Sequence, residues 1–164
     1  MKQYKAAVIT LSDKGSIGER EDTSGRFLCK ELERNGYEIV QYKILPDDKT
    51  KLEEELIRLA DGNLCELILT TGGTGLSSRD RTPEATKAVI ELEVPGIAEA
   101  IRAYSVGITK RGMLSRGVSG IRKHTLIINL PGSRKAVEEC LLYIIDTLDH
   151  ALGIMAGDAT ECGR

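Results

Sequence analysis

The chain has 164 residues, 41% of them hydrophobic and 29% charged, with a formal net charge of −2 from 23 basic and 25 acidic residues. That length suits one domain with a buried core, and the near balance of charge gives no electrostatic case for binding nucleic acid. Five Tyr, one Phe and no Trp leave few platforms for stacking bases, and no stretch nears the ~18 consecutive apolar residues of a membrane span.

The N-terminus, MKQYKAAVITLSD, runs into a short β-rich segment. It lacks the long apolar core and small-residue cleavage site of a secretory signal, which points to the cytoplasm. Cys29, Cys65 and Cys140 lie in apolar surroundings and read as small core residues, whereas Cys162, in DATECGR, is expected at the surface. The four include no C-x-x-C pair, so neither a disulfide framework nor a structural zinc site is expected.

Strand and helix signals alternate along the chain. Residues 4–12 (YKAAVITLS) form an apolar strand, and DKGSIGERED is a polar loop. TSGRFLCKELERN follows with helical spacing at Phe27, Leu28 and Leu32, and Gly36 as its stop. YEIVQYKILP is the second strand. TKLEEELIRLAD places Leu52, Leu56 and Leu59 on one helix face with a Glu54/Arg58 pair four residues apart, and CELILTT is the third strand. Beyond a glycine-rich loop, Thr82-Pro83-Glu84 marks a helix start, with Thr82 as cap and Pro83 in the first turn. A further helix begins after VPG and runs to about Tyr104. Residues 105–123, with four glycines, read as turns and short strands. HTLIINLP is a buried strand, and SRKAVEECLLYIIDTLDHALGIM is a long closing helix with Gly157 beyond it. Repeated β–α units with apolar strands predict a single three-layer α/β/α domain, residues 1–164, around a mostly parallel sheet.

Ligands of open parallel sheets bind in the crevice at the strands' carboxyl ends, and four strand exits here are polar. The third strand opens into TTGGTGLSSRDRTPEAT, where Thr71, Gly72, Gly73, Thr74 and Gly75 let backbone N–H groups converge on an anion. No Lys-Ser/Thr follows Gly75, as a P-loop requires, and no helix opens directly from the glycines, as a dinucleotide fingerprint requires. A tight turn without a ligand remains the plain alternative. Ser12 and Asp13 end the first strand, Asp47 and Asp48 the second, and Pro131-Gly132-Ser133 the last, with Ser133 a natural N-cap.

These motifs resemble the signature of the molybdenum-cofactor biosynthesis family, which includes molybdopterin adenylyltransferases of the Mog type, MoaB-type proteins and the N-terminal domain of gephyrin. TLSD, EDTSG, LPDD, the glycine loop, VPGIAEAIR, MLSRGVSGIR and NLPGS occur in family order over nearly the whole chain. The resemblance implies a molybdopterin-binding fold with a small β-hairpin subdomain near 105–123. It also implies a homotrimer, with hexamers among MoaB-type members. The implied activity is transfer of AMP from ATP to the terminal phosphate of molybdopterin, with Mg²⁺ or another divalent cation. By motif position Asp47 and Asp80 match the catalytic carboxylates. Ser12, the glycine loop, Ser115-Arg116 and Pro131-Gly132-Ser133 match positions around the ligands, and Asp13 stands beside them. The chain ends soon after its final helix, so insertion of molybdate is expected to fall to a separate protein that receives the product.

A phosphate nucleophile, with a second pKa near ~6, needs no base at pH 7, so a site without Ser-His or Cys-His pairs suits this chemistry. His124 and His150 read as structural. Asp47 and Asp80 would hold the metal or orient the reacting phosphate; Asp80 could instead cap the helix at Pro83. Lys110, Arg111, Arg116, Arg122 and Lys123 form either a solvated basic face or a receiver for phosphate. Two other functions are compatible with the sequence: a non-catalytic pterin-binding scaffold, and an enzyme acting on another phosphorylated compound.

Overall fold

The computed structural model describes residues 2–158. Six strands and six helices follow one another: β1 (Lys5–Leu11), α1 (Asp13–Ser16), α2 (Thr23–Arg34), β2 (Glu38–Leu45), α3 (Lys49–Asp61), β3 (Leu67–Thr71), α4 (Thr82–Val89), β4 (Leu92–Glu93), α5 (Pro95–Ile108), β5 (Ser119–Arg122), β6 (Thr125–Leu130) and α6 (Arg134–Met155). A 3₁₀ turn, Lys110–Leu114, links α5 to β5. Local chemistry sets most boundaries. Asp22, Asp48 and Ser133 each cap a helix by accepting a backbone N–H three residues on. Gly36 and Gly157 take the left-handed conformation just past α2 and α6.

The sheet order is β2-β1-β3-β6-β5-β4, with β2, β1, β3 and β6 parallel and β5 antiparallel to both its neighbours. Alternation along the central strands feeds two cores. Val8, Leu67, Leu69, Leu126 and Ile128 pack on one face with residues of α2 and α6. Ile9, Ile68 and Ile127 pack on the other with residues of α3 and α4. Asn129 of β6 is buried yet fully engaged: it donates to Thr70 Oγ1 (3.0 Å) and Thr86 Oγ1 (2.9 Å) and accepts from Val118 N (3.1 Å). It thus locks α4 and the approach to β5 onto the central strands. On the outer strand β2 the register skips Val40, where Ala6 faces Ile39 but Ala7 faces Gln41.

The helices that follow β1 and β3 pack on opposite faces: α2 joins the first core and α4 the second. These adjacent strands therefore form the switch point at which a doubly wound sheet opens a crevice.

Several local expectations are revised. Residues 105–123 hold the end of α5, the 3₁₀ turn and β5, so only Ser119–Arg122 are strand, and β5 continues the main sheet. The loop after β1 contains α1, a four-residue turn too short for periodicity to reveal. Arg58 pairs with Glu55 rather than Glu54, because Glu55 lies on the inward face and is 5% exposed. Thr82 occupies the first turn of α4, and its hydroxyl donates to Gly72 O (2.9 Å) instead of capping. Cys29, Cys65 and Cys140 are free and at least partly buried; Cys162 lies outside the described residues.

Leu69 is fully buried in the central strand β3, so Leu69→Ala should cost about 2–5 kcal/mol in urea unfolding. Glu55 accepts from Arg58 (2.7 and 3.1 Å) and Lys43 (3.3 Å), tying α3 to β2. Arg58 and Lys43 outweigh burial and hold its carboxyl below the usual glutamate range. The stability this supplies is complete above the ordinary glutamate pKa and is lost as pH falls through the lowered folded value. Glu55→Gln should therefore cost on the order of 1–2 kcal/mol at pH 7, and the gap to the wild-type chain should close on acidification.

Candidate active site

At the switch point the exits of β1 and β3 part around a cleft of about 400 Å³. Its walls come from four segments: Thr10, Leu11 and Ser12; Asp22, Thr23 and Ser24; Thr71 and Gly72; and Gly132, Ser133 and Arg134. The N-terminal turns of α2 and α6, both long helices, open onto this space, and helix N-termini favour anions. The wall is tightly built. Asp22 accepts from Thr10 Oγ1 (2.6 Å), Tyr42 OH (2.6 Å) and Gly25 N (2.9 Å). A Cβ on Gly25 would meet Asp22 Oδ2 at 2.2 Å and Thr10 Oγ1 at 2.4 Å, so only glycine fits there. Thr71 Oγ1 donates to Pro131 O (2.6 Å) and Ser24 Oγ to Gly132 O (2.8 Å), which fastens the last turn to the other walls.

The glycine loop leaves the cleft at Gly72. Gly72 and Gly73 have φ of 94° and 70°, and a side chain would strike Leu11 O at 2.4 Å and Thr82 Oγ1 at 2.2 Å respectively. The loop's carbonyls turn inward one after another. Gly72 O accepts from Thr82 Oγ1 (2.9 Å), Gly73 O from Thr82 N (3.1 Å), Thr74 O from Arg116 N (2.8 Å) and Gly75 O from Arg116 Nε (2.8 Å). The amides of Gly73, Thr74, Gly75 and Leu76, by contrast, find no protein acceptor among the described residues. Successive unpaired N–H groups of this kind make a concavity for anionic oxygens.

Beside the loop stand three carboxylates. Asp13 and Asp47 exchange hydrogen bonds: Asp13 N donates to Asp47 Oδ2 (3.1 Å) and Asp47 N to Asp13 Oδ1 (3.0 Å). Arg79 forks onto Asp13 with Nε and Nη2 (3.0 and 2.8 Å), and these bonds hold the Asp13 carboxyl below its ordinary range. Asp47 goes the other way. Partial burial pushes it up, the Asp13 amide opposes this, and the charges of Asp13 and Asp80 add to the rise. Asp80 Oδ2 accepts from Ser77 N (2.9 Å), closing the far turn of the loop. A Cβ on Gly73 would lie 3.5 Å from Asp47 Oδ1, and one on Gly75 would lie 2.9 Å from Asp80 Oδ2. The two carboxylates thus face neighbouring glycines of one loop, Asp47 at Gly73 and Asp80 at Gly75.

No cluster of three or more His, Cys, Asp or Glu that could hold a metal occurs among the described residues. A divalent cation would depend on the Asp47–Asp80 pair. Each keeps one carboxylate oxygen without a protein donor among the described residues, Oδ1 in both cases. Mg²⁺ characteristically takes one or two carboxylates and completes its shell with phosphate and water, which is the donor chemistry these two residues offer.

Of the sequence-derived candidates, Ser12, Thr71, Gly72, Gly132 and Ser133 line the cleft. Asp13, Asp47, Gly73, Thr74, Gly75 and Asp80 gather on the loop side of the same rim. Asp80 does not cap α4, since its carboxylate is directed at Ser77 N and the N-cap position belongs to Arg81. Ser12 caps α1 through Gly15 N (3.0 Å). Pro131 contributes its carbonyl to the wall. Ser115 and Arg116 stand behind the loop. Neither lines the cleft, and the Arg116 guanidinium is engaged by Gly75 O, by Asp80 O (2.7 Å) and by the Glu84 carboxylate. Each of its three nitrogens already donates to a protein acceptor. Thr10, Asp22, Thr23, Ser24 and Arg134 were not among the candidates. Asp22, Thr23 and Ser24 lie in EDTSG, whose Asp-x-x-Gly spacing could be taken as ordinary helix capping; Thr10 lies in β1, and Arg134 stacks on Phe27 (3.8 Å) beside the cleft.

Comparison with known proteins agrees with this geometry. The family model described as a probable molybdopterin binding domain matches residues 7–150. A molybdopterin adenylyltransferase of Helicobacter pylori is 37% identical over 161 residues, covering 96% of this chain and 91% of that protein. The molybdopterin adenylyltransferase of Escherichia coli is 38% identical over 144 residues, covering 86% and 73%. The crystal structure of the molybdopterin biosynthesis enzyme MoaB from Thermus thermophilus superposes with a TM-score of 0.88 at 42% identity, covering 97% of this chain and all of that one. With its mostly parallel sheet, switch-point cleft and glycine loop, the chain belongs to the molybdopterin-binding domain family of molybdenum-cofactor biosynthesis.

Proposed function

We propose that this chain transfers the adenylyl group of ATP to the terminal phosphate of molybdopterin, releasing pyrophosphate, as a step in molybdenum-cofactor biosynthesis. The observation that carries this reading is the meeting, on one rim, of a polar cleft, the outward amides of Gly73–Leu76 and the carboxylates of Asp47 and Asp80. The names and coverage of the adenylyltransferase relatives support it.

The chemistry asks for positioning and charge neutralisation rather than covalent help. A terminal phosphate oxygen of molybdopterin forms the bond to the α-phosphorus of ATP. The α–β bridge breaks, and pyrophosphate leaves with the electron pair. In this reading Ser12, Thr71, Gly72, Gly132 and Ser133 shape the pocket for one substrate, aided by the first turns of α2 and α6. The amides of Gly73–Leu76 receive phosphate oxygens of the other. Asp47 and Asp80 would hold Mg²⁺, which when bound would supply neutralisation of the triphosphate charge. Asp13, fixed by Arg79, sets the position of Asp47 through the reciprocal backbone bonds. A non-catalytic pterin-binding scaffold is the weaker reading, because two carboxylates facing a phosphate loop only add repulsion there unless a cation stands between.

The same reading includes a homotrimer, a cytoplasmic setting and release of the adenylylated product to a separate molybdate-inserting protein. Support for self-association comes from an apolar groove of about 350 Å³ between α5 and α6, lined in part by Ile97, Ala100 and Ile144. Tyr104 and Tyr143 stack beside it at 4.2 Å between centroids, half exposed. No helix among the described residues is long and apolar enough to cross a membrane.

Incubation with labelled ATP, molybdopterin and Mg²⁺ should release pyrophosphate. Asp80→Asn should keep the fold and lose roughly 100-fold or more in turnover, the scale of a lost electrostatic contact at a reacting centre; wild-type rates in that variant would refute the assignment. Tyr143→Arg should lower the mass seen by sedimentation velocity, and an unchanged assembly would remove this face from the subunit contact.

A further inference from the structure

Three contacts of one side chain go beyond that reading. Arg116 lies on neither wall of the cleft, yet its guanidinium reaches Gly75 O at the start of the loop's outer turn (2.8 Å) and Asp80 O at its end (2.7 Å). Its own N–H takes Thr74 O (2.8 Å). The remaining arm of the fork binds Glu84 in the first turn of α4. Glu84 Oε2 is buried without a partner among the described residues, so this carboxylate depends on Arg116 for compensation. A second arginine braces the first: Arg102 of α5 donates to Gly117 O (2.6 Å) and Ser115 O (3.4 Å), the carbonyls on either side of Arg116.

The consequence is geometric. A peptide unit whose carbonyl is held inward must direct its N–H the opposite way. By fastening the carbonyls of Thr74 and Gly75, Arg116 turns the amides of Gly75 and Leu76 outward; Thr82 does the same for Gly73 and Thr74 through the carbonyls of Gly72 and Gly73. By fastening Asp80 O it also fixes the backbone that carries the Asp80 carboxylate. We propose that Arg116 is a positioning residue that never touches substrate: from behind, it sets both the phosphate-receiving amides and Asp80 in register with the cleft. Lysine cannot replace it, because a single ammonium on a flexible stem lacks the planar fork that spans two carbonyls and a carboxylate at once.

The reaction half of this inference rests on the adenylyl-transfer reading, whereas the loop half does not, and the test separates them. Arg116→Lys keeps the charge beside Glu84; Arg116→Ala, which leaves that carboxylate unpaired, serves as the second variant. Each full-length protein is measured for thermal unfolding, for amide resonances of residues 73–76 without ligand, for pyrophosphate affinity by calorimetry, and for kcat and KM in adenylyl transfer. In Arg116→Lys the free-protein resonances of Gly75 and Leu76 should move, pyrophosphate should bind on the order of tenfold more weakly, the worth of one charge-assisted hydrogen bond, and kcat should fall roughly 100-fold. Free guanidinium at millimolar concentration should restore part of the Arg116→Ala rate. Unmoved amide resonances with weakened pyrophosphate binding would mean direct contact and overturn the proposal, as would wild-type affinity in both variants. A loss confined to melting temperature, with normal kcat in the folded protein, would also overturn it. A wild-type chain that binds pyrophosphate at these amides without transferring AMP would sink the proposed reaction and leave the positioning role supported.

Discussion

The site depends on the direction in which one loop faces its peptide groups. A chain leaving a parallel sheet has equal numbers of donors and acceptors to satisfy, and water would serve both alike. Here Thr82 and Arg116 take the acceptors of residues 72–75, so the donors are left as a set on the accessible side. Three glycines make this possible, two because φ is positive and a Cβ would collide with Leu11 O or Thr82 Oγ1. The loop is therefore an electrostatic surface manufactured from neutral backbone. In the proposed reaction it would allow a chain of net charge −2 to receive polyanions without a concentration of free cations.

The charged groups on the rim follow the same economy. Arg79 is committed to Asp13 and Arg116 to Glu84 and two carbonyls. Of the three carboxylates, Asp13 is neutralised by its arginine, while Asp47 carries a charge that burial and its acidic neighbours disfavour. In the proposed reaction such a group would be relieved by a bound cation. Strain of this kind is common where binding, not folding, sets the arrangement.

Much of the fold was legible in the sequence, for physical reasons that also mark where legibility stopped. The strands β1, β3 and β6 are continuous apolar runs because helices cover both faces, and α2, α3 and α6 repeat leucines at helical spacing because each has one buried stripe. The elements α1 and β4 span four and two residues and owe their form to tertiary partners, which no periodicity records. The glycine loop and the polar strand exits were readable as a candidate site because glycine, proline and capping residues have local reasons to be there. Arg116 was readable as a cation but not in its role. Its acceptor at Gly75 lies 41 positions away, and nothing local distinguishes an arginine that binds a ligand from one that holds a loop. The same applies to Asp22, whose partners Thr10 and Tyr42 lie 12 and 20 positions away.

The skipped register at Val40 bears on how this chain keeps company with itself. The strand β2 is the long open edge of the sheet, eight residues with one side free, whereas β4 at the opposite edge has only two. A flat edge of that length invites another strand to add to it. The extra residue breaks the even ladder of free amides and carbonyls and adds local twist, while Glu38 and Lys43 place charges of both signs along it. A visiting strand would have to match an interrupted, charged template, so the edge discourages fibril-like growth.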